Sequence, residues 1–110
     1  MRFLMFVCGD SSAEKYDPAE DNVDEWVREM DARGVRVTGD RLSGVEQSVV
    51  VRKRDGKLSI TTGPFAETAE WIGGFDLLEC ANLDEAVAVA SAHPMARFGR
   101  LEIRPIWRED

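Results

Sequence analysis

The sequence predicts an α+β fold in which helices lie on one face of a mostly antiparallel sheet. Three features predict it: short apolar runs of strand length, two segments with helical hydrophobic spacing, and an Asp-Gly pair between two β-branched runs. In chain order the elements are strand, helix, strand, strand, a returning hairpin strand, strand, helix and strand. A chain of 110 residues is long enough for one core, so we expect a single domain over residues 1–110.

The first strand is residues 2–8, RFLMFVC, whose continuous apolar run predicts burial on both faces. A helix follows, with Asp17 as the expected N-cap and Pro18 at its first position. Apolar side chains then recur at helical spacing on one side, with acids and an arginine on the other. Gly34 stands where a left-handed C-terminal residue ends a helix.

Three strands are expected in the middle of the chain. Residues 35–39 alternate apolar and polar side chains, and residues 45–54 form a longer β-branched run. Asp55-Gly56 follows, and this dipeptide is typical of a two-residue hairpin turn with positive φ at both positions. Residues 57–61 are the returning strand.

The last third of the chain predicts a strand, a helix and a strand. Residues 74–81 read as the strand, after which Asn82 is the expected N-cap and Glu85 the answering acid of a capping box. Pro94 ends the helix, and residues 100–107 alternate as a final strand. Pro105 predicts that this strand lies near an edge or an end.

Composition excludes several classes of function. The net charge of −7 argues against nucleic-acid binding, because such binding needs a cationic surface. The longest apolar run is too short for a membrane span or a signal peptide, so we expect a cytoplasmic protein that binds no membrane. No phosphate-binding loop, nucleophile elbow or metal motif is found, and we expect no cofactor and no metal.

The two cysteines fit a reducing compartment as thiols. Cys8 ends the first strand and Cys80 ends the strand before the second helix. If those strands are parallel neighbours, the thiols lie at the same end and can form a redox pair. Burial as small apolar side chains is the alternative, and it is the commoner role.

One face of the sheet needs a cover that the helices do not supply. The first strand is apolar on both faces, and two helices cover one side of a sheet. The other side must meet another surface, and a second copy of the chain is the simplest partner. We therefore expect a homodimer.

The run GPFAETAEWIGGFDLLECANLDEAVAVASAHP, followed by LEIRP, resembles the YCII-related proteins, in particular the branch named for an Asp-Gly-Pro-Phe motif. The opening RFLMFVCGD and the segment RGVRVTGDRL resemble that branch too. The resemblance implies a ferredoxin-like βαββαβ fold, here with an extra hairpin strand, that dimerises into an α/β barrel.

The sequence departs from this pattern at two places. Thr62 stands where the motif has its Asp, so a role that needs a carboxylate there is not carried over. The resemblance also implies a His near the start of the first helix, paired with an Asp, and this chain has none there. Its one histidine, His93, lies at the end of the second helix, where the helix dipole favours a protonated imidazole.

Glu67 and Glu70 are the first candidate catalytic residues. Two carboxylates three residues apart on a turn can act as a general base and its orienting partner. Alternatively, Glu67 accepts hydrogen bonds from backbone amides after Pro64 and fixes the entry of the next strand.

Four other residues complete the candidate site. Asp40 and Arg41 follow Gly39 at a strand end, which is a common place for a site. Asp40 is a third candidate catalytic acid, although an adjacent acid and base also make an ordinary turn. Arg52 and Arg104 are candidate ligand-binding residues that can hold a carboxylate bidentately. Their alternative is a salt bridge across the sheet to Glu46, Glu79 or Glu102. Trp71 can form a wall of the pocket, or belong to the core or a dimer interface.

We therefore predict a small protein whose cleft binds a small anionic organic molecule. If it is an enzyme, proton transfer by a carboxylate predicts a cofactor-independent isomerase or lyase. The alternative is a non-enzymatic interaction or regulatory module associated with transcription, as the resemblance suggests. A polar cavity distinguishes the two, because an interaction module would have a closed, filled interior.

Overall fold

The fold is α+β, as predicted, and its main sheet is antiparallel throughout. The computed structural model describes residues 1–62 and 71–108. The main sheet has the order β2-β5-β1-β6, formed by Arg36–Arg41, Ile72–Glu79, Arg2–Cys8 and Arg100–Pro105. With the hairpin set aside, this is the strand order of a ferredoxin-like βαββαβ fold.

The helices pack on one face of this sheet. They are α1 (Val23–Ala32), α2 (Leu83–Ser91) and the one-turn α3 (Met95–Phe98). None of the helices in residues 1–62 and 71–108 is long and apolar enough to cross a membrane.

The core lies between the helices and the face of β1 that carries Phe3 and Met5. Both side chains are fully buried, together with Leu78 of β5. Trp26 and Met30 of α1 complete this layer with three apolar side chains of α2. The Trp26 indole N–H donates to the backbone oxygen of Val89 over 2.9 Å, which joins the two helices inside the core.

The opposite face of the main sheet is also apolar. Leu4 lies opposite Leu77, and Phe6 lies opposite Phe75, in the pairing of β1 with β5. Because side chains alternate along a strand, these four point away from the helices. All four remain partly exposed, so the sheet has the second apolar face that the sequence predicts.

The first helix begins later than predicted. Asp17 does cap a turn, since its carboxylate accepts from the Ala19 amide, but that turn is a short 3-10 helix, Pro18–Glu20. Asp21 is extended, and α1 starts at Val23. The Asp21 carboxylate accepts from the Val23 amide over 3.1 Å, which offers the backbone an alternative to continuing the helix. The C-terminal prediction is confirmed, because Gly34 has φ +70°.

The central strands form a separate hairpin and do not join the main sheet. A 3-10 turn at Val45–Gln47 precedes β3, which is Val49–Arg54 and pairs only with β4, Lys57–Thr62, among the described residues. Asp55 and Gly56 have φ of 52° and 76°, which confirms the predicted turn. We call Val49–Thr62 the arm.

The second helix agrees closely with the sequence. The Asn82 side chain accepts from the Glu85 amide over 2.9 Å, and the Glu85 carboxylate accepts from the Ala81 amide. The helix ends before Pro94 as expected.

The expected proximity of the two thiols is wrong. β1 and β5 are antiparallel, with Cys8 opposite Ile72 and Arg2 opposite Glu79, so Cys8 and Cys80 lie at opposite ends of the sheet. Burial raises the pKa of the Cys80 thiol, which disfavours the thiolate that redox chemistry needs. The burial of both side chains agrees with the alternative reading.

Candidate functional site

A cavity of about 600 Å³ lies at the end of the main sheet where β1 finishes and β5 begins. Its volume is within the range of small-molecule sites. Its sides are formed by the segment after β1, by the extended residue Asp21 just before α1, and by the short helix α3. Most of the wall is apolar, formed by Val7, Val23, Trp71, Gly73, Gly74, Met95 and Phe98.

Tyr16 and Asp21 place a short hydrogen bond in this wall. The Tyr16 hydroxyl donates to Asp21 Oδ2 over 2.5 Å, within the range of charge-assisted bonds. This bond raises the pKa of Tyr16, with burial as a second cause, so the phenol keeps its proton at neutral pH. The edge of its ring packs on Phe98, with centroids 5.3 Å apart. Tyr16 is therefore the proton donor of this pair, and its bond fixes the orientation of the Asp21 carboxylate.

Asp21 lines the cavity because the chain does not form one continuous helix from Pro18 into α1. A helix running on from Pro18, as the sequence predicts, would place Asp21 within a regular turn. Instead Asp21 is extended between the 3-10 turn and α1. Its Oδ1 accepts from the Val23 amide and its Oδ2 from Tyr16, which holds the carboxylate from both sides.

His93 faces the same cavity and is a neutral imidazole, contrary to the expected protonated one. It is 5% exposed, and burial lowers its pKa to about 4, although the Asp21 charge acts in the opposite direction. Its Nδ1 accepts from the Met95 amide over 3.0 Å, which leaves the ring proton on Nε2. The ring packs edge-on against Trp26, so burial outweighs the helix dipole here.

Two further charged side chains line the cavity. Arg41 lies close enough to Tyr16 for its positive charge to oppose the rise in the Tyr16 pKa. Asp10 accepts from the hydroxyl and the amide of Ser12, and these bonds lower its pKa. Arg100 approaches Asp10 to 3.7 Å. Asp10 is therefore already engaged, whereas Arg41 makes no ion pair with the described residues.

Of the described residues predicted for the site, Trp71 lines the cavity and three do not. Asp40 is exposed, and its carboxylate accepts from the Arg41 amide. Arg52 lies on the arm, and Arg104 lies opposite Leu4 on the partly exposed face of the sheet. Neither arginine forms a salt bridge with the described residues, so their role in binding a ligand stays a prediction.

Glu67 and Glu70 lie outside the described residues, and their proposed roles also stay predictions.

Sequence reasoning missed Tyr16, Asp21 and the neutral state of His93, and it chose Asp40 rather than its neighbour Arg41 for the candidate site. The signal for Arg41 was present, because alternation along β2 puts it on the face opposite Asp40. Asp21 stands next to Asn22 in a segment that resembles an uninterrupted helix start. The meeting of Tyr16 with Asp21 and His93 depends on tertiary structure, and no spacing in the sequence predicts it.

The described residues contain no group of three or more His, Cys, Asp or Glu side chains that could hold a metal ion.

Comparisons with known proteins assign a family. The family described as YCII-related domain matches residues 1–110. An uncharacterised protein of Rhizobium meliloti (strain 1021) is 39% identical over 70 residues, which are 60% of this chain. The chain spans about half the length of that relative, 55%.

A solved structure shares the fold. It is 5-chloro-2-hydroxyhydroquinone dehydrochlorinase from Burkholderia phenoliruptrix, in complex with 2,5-dihydroxybenzoquinone. The TM-score is 0.52 at 14% identity, and the match covers 100% of this chain and 96% of that one. At this identity the likeness concerns the fold alone.

Proposed function

The chain belongs to the YCII-related domain family, and we propose that it binds a small anionic organic molecule in the cavity at the end of β1 and transfers a proton to or from it. The reaction class is that of an isomerase or lyase that needs no cofactor. The observation that carries the proposal is the 2.5 Å bond between Tyr16 and Asp21 in a cavity that also holds Arg41. Three of the four residues of the Asp-Gly-Pro-Phe motif follow Thr62, which supports placing the chain in that branch.

Each polar side chain has a distinct part in this proposal. Asp21 is the carboxylate that accepts a proton from a carbon of the ligand. Arg41 attracts the anion and stabilises the negative charge that develops when that proton leaves. Tyr16 orients Asp21, because its single hydroxyl proton is donated to Asp21 Oδ2.

Binding is tested with 2,5-dihydroxybenzoquinone, the ring compound bound by the structural relative, as a probe. By calorimetry we expect the wild type to bind it, and Arg41→Gln to bind at least tenfold more weakly. Asp24→Asn is the matched control, because Asp24 lies in the first turn of α1 and does not line the cavity. Equal affinity of the wild type and Arg41→Gln for the probe would show that this cavity is not the binding site.

Proton transfer is tested with oxaloacetate, a small anionic carbon acid, by following deuterium incorporation at its methylene carbon by NMR in D₂O. We expect the wild type to accelerate the exchange and Asp21→Asn to lose at least 100-fold of that acceleration. Tyr16→Phe keeps the ring against Phe98 and should lose about tenfold. An Asp21→Asn variant as fast as the wild type would exclude Asp21 as the base.

The homodimer is also proposed, through the partly exposed face of Leu4, Phe6, Phe75 and Leu77. A sheet face of this composition is better buried than hydrated. Sedimentation equilibrium should give twice the mass of one chain, and Phe75→Lys should give the monomer mass. A wild type that is monomeric at about 100 µM would contradict this.

A further inference from the structure

The arm is amphipathic, and its two faces differ sharply. In the β3–β4 pairing, Val49, Val51 and Lys53 lie opposite Thr62, Ile60 and Leu58, so these six share one face. The other face carries Val50, Arg52 and Arg54 opposite Thr61, Ser59 and Lys57. One face is therefore apolar and the other cationic.

The apolar face of the arm is exposed to a degree unusual for such side chains. Val51 is 63% exposed, Ile60 61%, Leu58 63% and Val49 56%. A two-stranded hairpin by itself is only marginally stable in water, so an arm of this kind needs a further surface to pack against. Within residues 1–62 and 71–108, nothing covers this face.

The chain as a whole exposes more surface than a compact monomer of its mass. The accessible area is 7836 Å², whereas a compact monomer of 12.3 kDa would expose about 6,100 Å². The excess is larger than the ~800 Å² that each partner buries in an interface of ordinary size. The radius of gyration, 16.2 Å, likewise exceeds the ~13 Å expected for a chain of this length.

The distribution of charge along the sequence indicates that the partner of the arm is a second copy of the chain. The arm carries four basic residues and one acidic residue, while the chain as a whole has a net charge of −7. The rest of the chain is therefore strongly acidic, and it also presents the apolar sheet face of Leu4 and Phe75. A second copy offers both surfaces that the arm needs, an apolar one and an acidic one.

We propose that the arm docks on a second copy of this chain, with its Val51–Ile60 face buried against that copy. Under two-fold symmetry each chain gives one arm and receives one, so both arms are covered by one interface. The arm thereby extends the dimer beyond the sheet face. This inference does not rest on the proton-transfer function.

Two double variants with the same added charge test it. Val51→Lys/Ile60→Lys places two lysines on the apolar face, and Ser59→Lys/Thr61→Lys places two on the cationic face. By sedimentation velocity over a range of concentrations, we expect the first to raise the dimer dissociation constant at least 100-fold, because two apolar contacts are lost and two charges must be buried. The control should change it less than tenfold. Equal dissociation constants for both variants would overturn the proposal.

Hydrogen–deuterium exchange of the wild type removes any dependence on variant folding. We expect the amides of Val49–Thr62 to gain at least tenfold protection at concentrations above the dissociation constant relative to those below it. Protection that is independent of concentration would mean that the chain covers its own arm, and would overturn the proposal. A monomer at about 100 µM that binds a fluorescent 20-nucleotide thymidine strand through the arm would overturn it in favour of a nucleic-acid partner.

Discussion

The main sheet and the arm are both antiparallel β-structure rich in β-branched or apolar residues, yet they are stabilised in different ways. In the main sheet, β1 lies between β5 and β6 and is covered by α1 and α2, so Phe3 and Met5 are fully buried. In the arm, two strands pair with each other, and Val51 and Ile60 stay more than half exposed. Strand pattern therefore predicts pairing, but burial depends on what the fold places over the strands.

The largest difference in stability between the main sheet and the arm is expected when a buried charge loses its partner. Arg36 Nε donates to Asp76 Oδ1 over 2.7 Å, and Asp76 is only 7% exposed. Burial raises the pKa of Asp76, and Arg36 opposes that rise. Arg36→Met leaves the carboxylate buried without its partner, so we expect a loss of about 4 kcal/mol in the free energy of unfolding. The measurement is urea denaturation at pH 7.

Arg52→Met is the control for that substitution on the arm. Arg52 is exposed and forms no ion pair within the described residues, so its loss should change the free energy of unfolding by less than about 0.5 kcal/mol. The deficit of Arg36→Met should also shrink as the pH falls, because Asp76 then takes up a proton. Equal losses for the two arginines would contradict the comparison.

Replacing one leucine in the main sheet and one in the arm compares the two regions for apolar packing. Leu78 is 0% exposed in β5, and Leu58 is 63% exposed in β4. Leu78→Ala should cost about 3 kcal/mol of unfolding free energy, since it removes transfer energy and leaves a cavity. Leu58→Ala should cost less than about 0.5 kcal/mol in the monomer and weaken the dimer instead. Denaturation at low concentration and sedimentation separate the two readouts.

The buried imidazole adds a pH dependence on the helix side of the main sheet. The folded pKa of His93 is about 4 and the ordinary value is 6.5. Between these values the unfolded chain binds a proton that the folded chain does not, so stability is lost as the pH falls from about 6.5 to 4. We expect His93 to contribute a loss of about 2 kcal/mol between pH 7 and pH 4.5.

NMR titration measures this directly, because the sequence has one histidine. His93→Asn keeps an acceptor for the Met95 amide and should remove that part of the pH dependence of unfolding. A folded-state midpoint near 6.5 would show that the imidazole is hydrated and would contradict its assignment as a neutral group.

Glycines serve different purposes in the two regions, and their substitution should have different costs. A Cβ on Gly39 would lie 2.2 Å from Asp76 Oδ1 and 2.6 Å from the Phe75 backbone oxygen, so Gly39→Ala should cost about 2 kcal/mol. Gly56 has open space around it but φ of 76°, so Gly56→Ala should cost about 1 kcal/mol through its backbone. Gly56→Asn should recover part of that loss, and Gly39→Asn none, when both are measured by thermal unfolding.

The candidate site could be predicted from the sequence only in part. Trp71 was predicted as a pocket wall and does line the cavity. Asp40 was chosen and its neighbour Arg41 was not, although one step along a strand changes the face on which a side chain lies. Tyr16 and Asp21 were missed because the Asp17-Pro18 signal is sufficient for a helix start, while the break at Asp21 depends on its own side chain.

The sequence by itself determined the elements whose signals are local. Asn82 caps α2, Gly34 ends α1, and Asp55-Gly56 turns the arm, because each requires only the backbone preferences of a few adjacent residues. Tertiary structure alone decided three other features: the antiparallel pairing that separates Cys8 from Cys80, the departure of the arm from the main sheet, and the neutral His93. Each depends on which distant surfaces meet, and hydrophobic burial sets that through the whole chain at once.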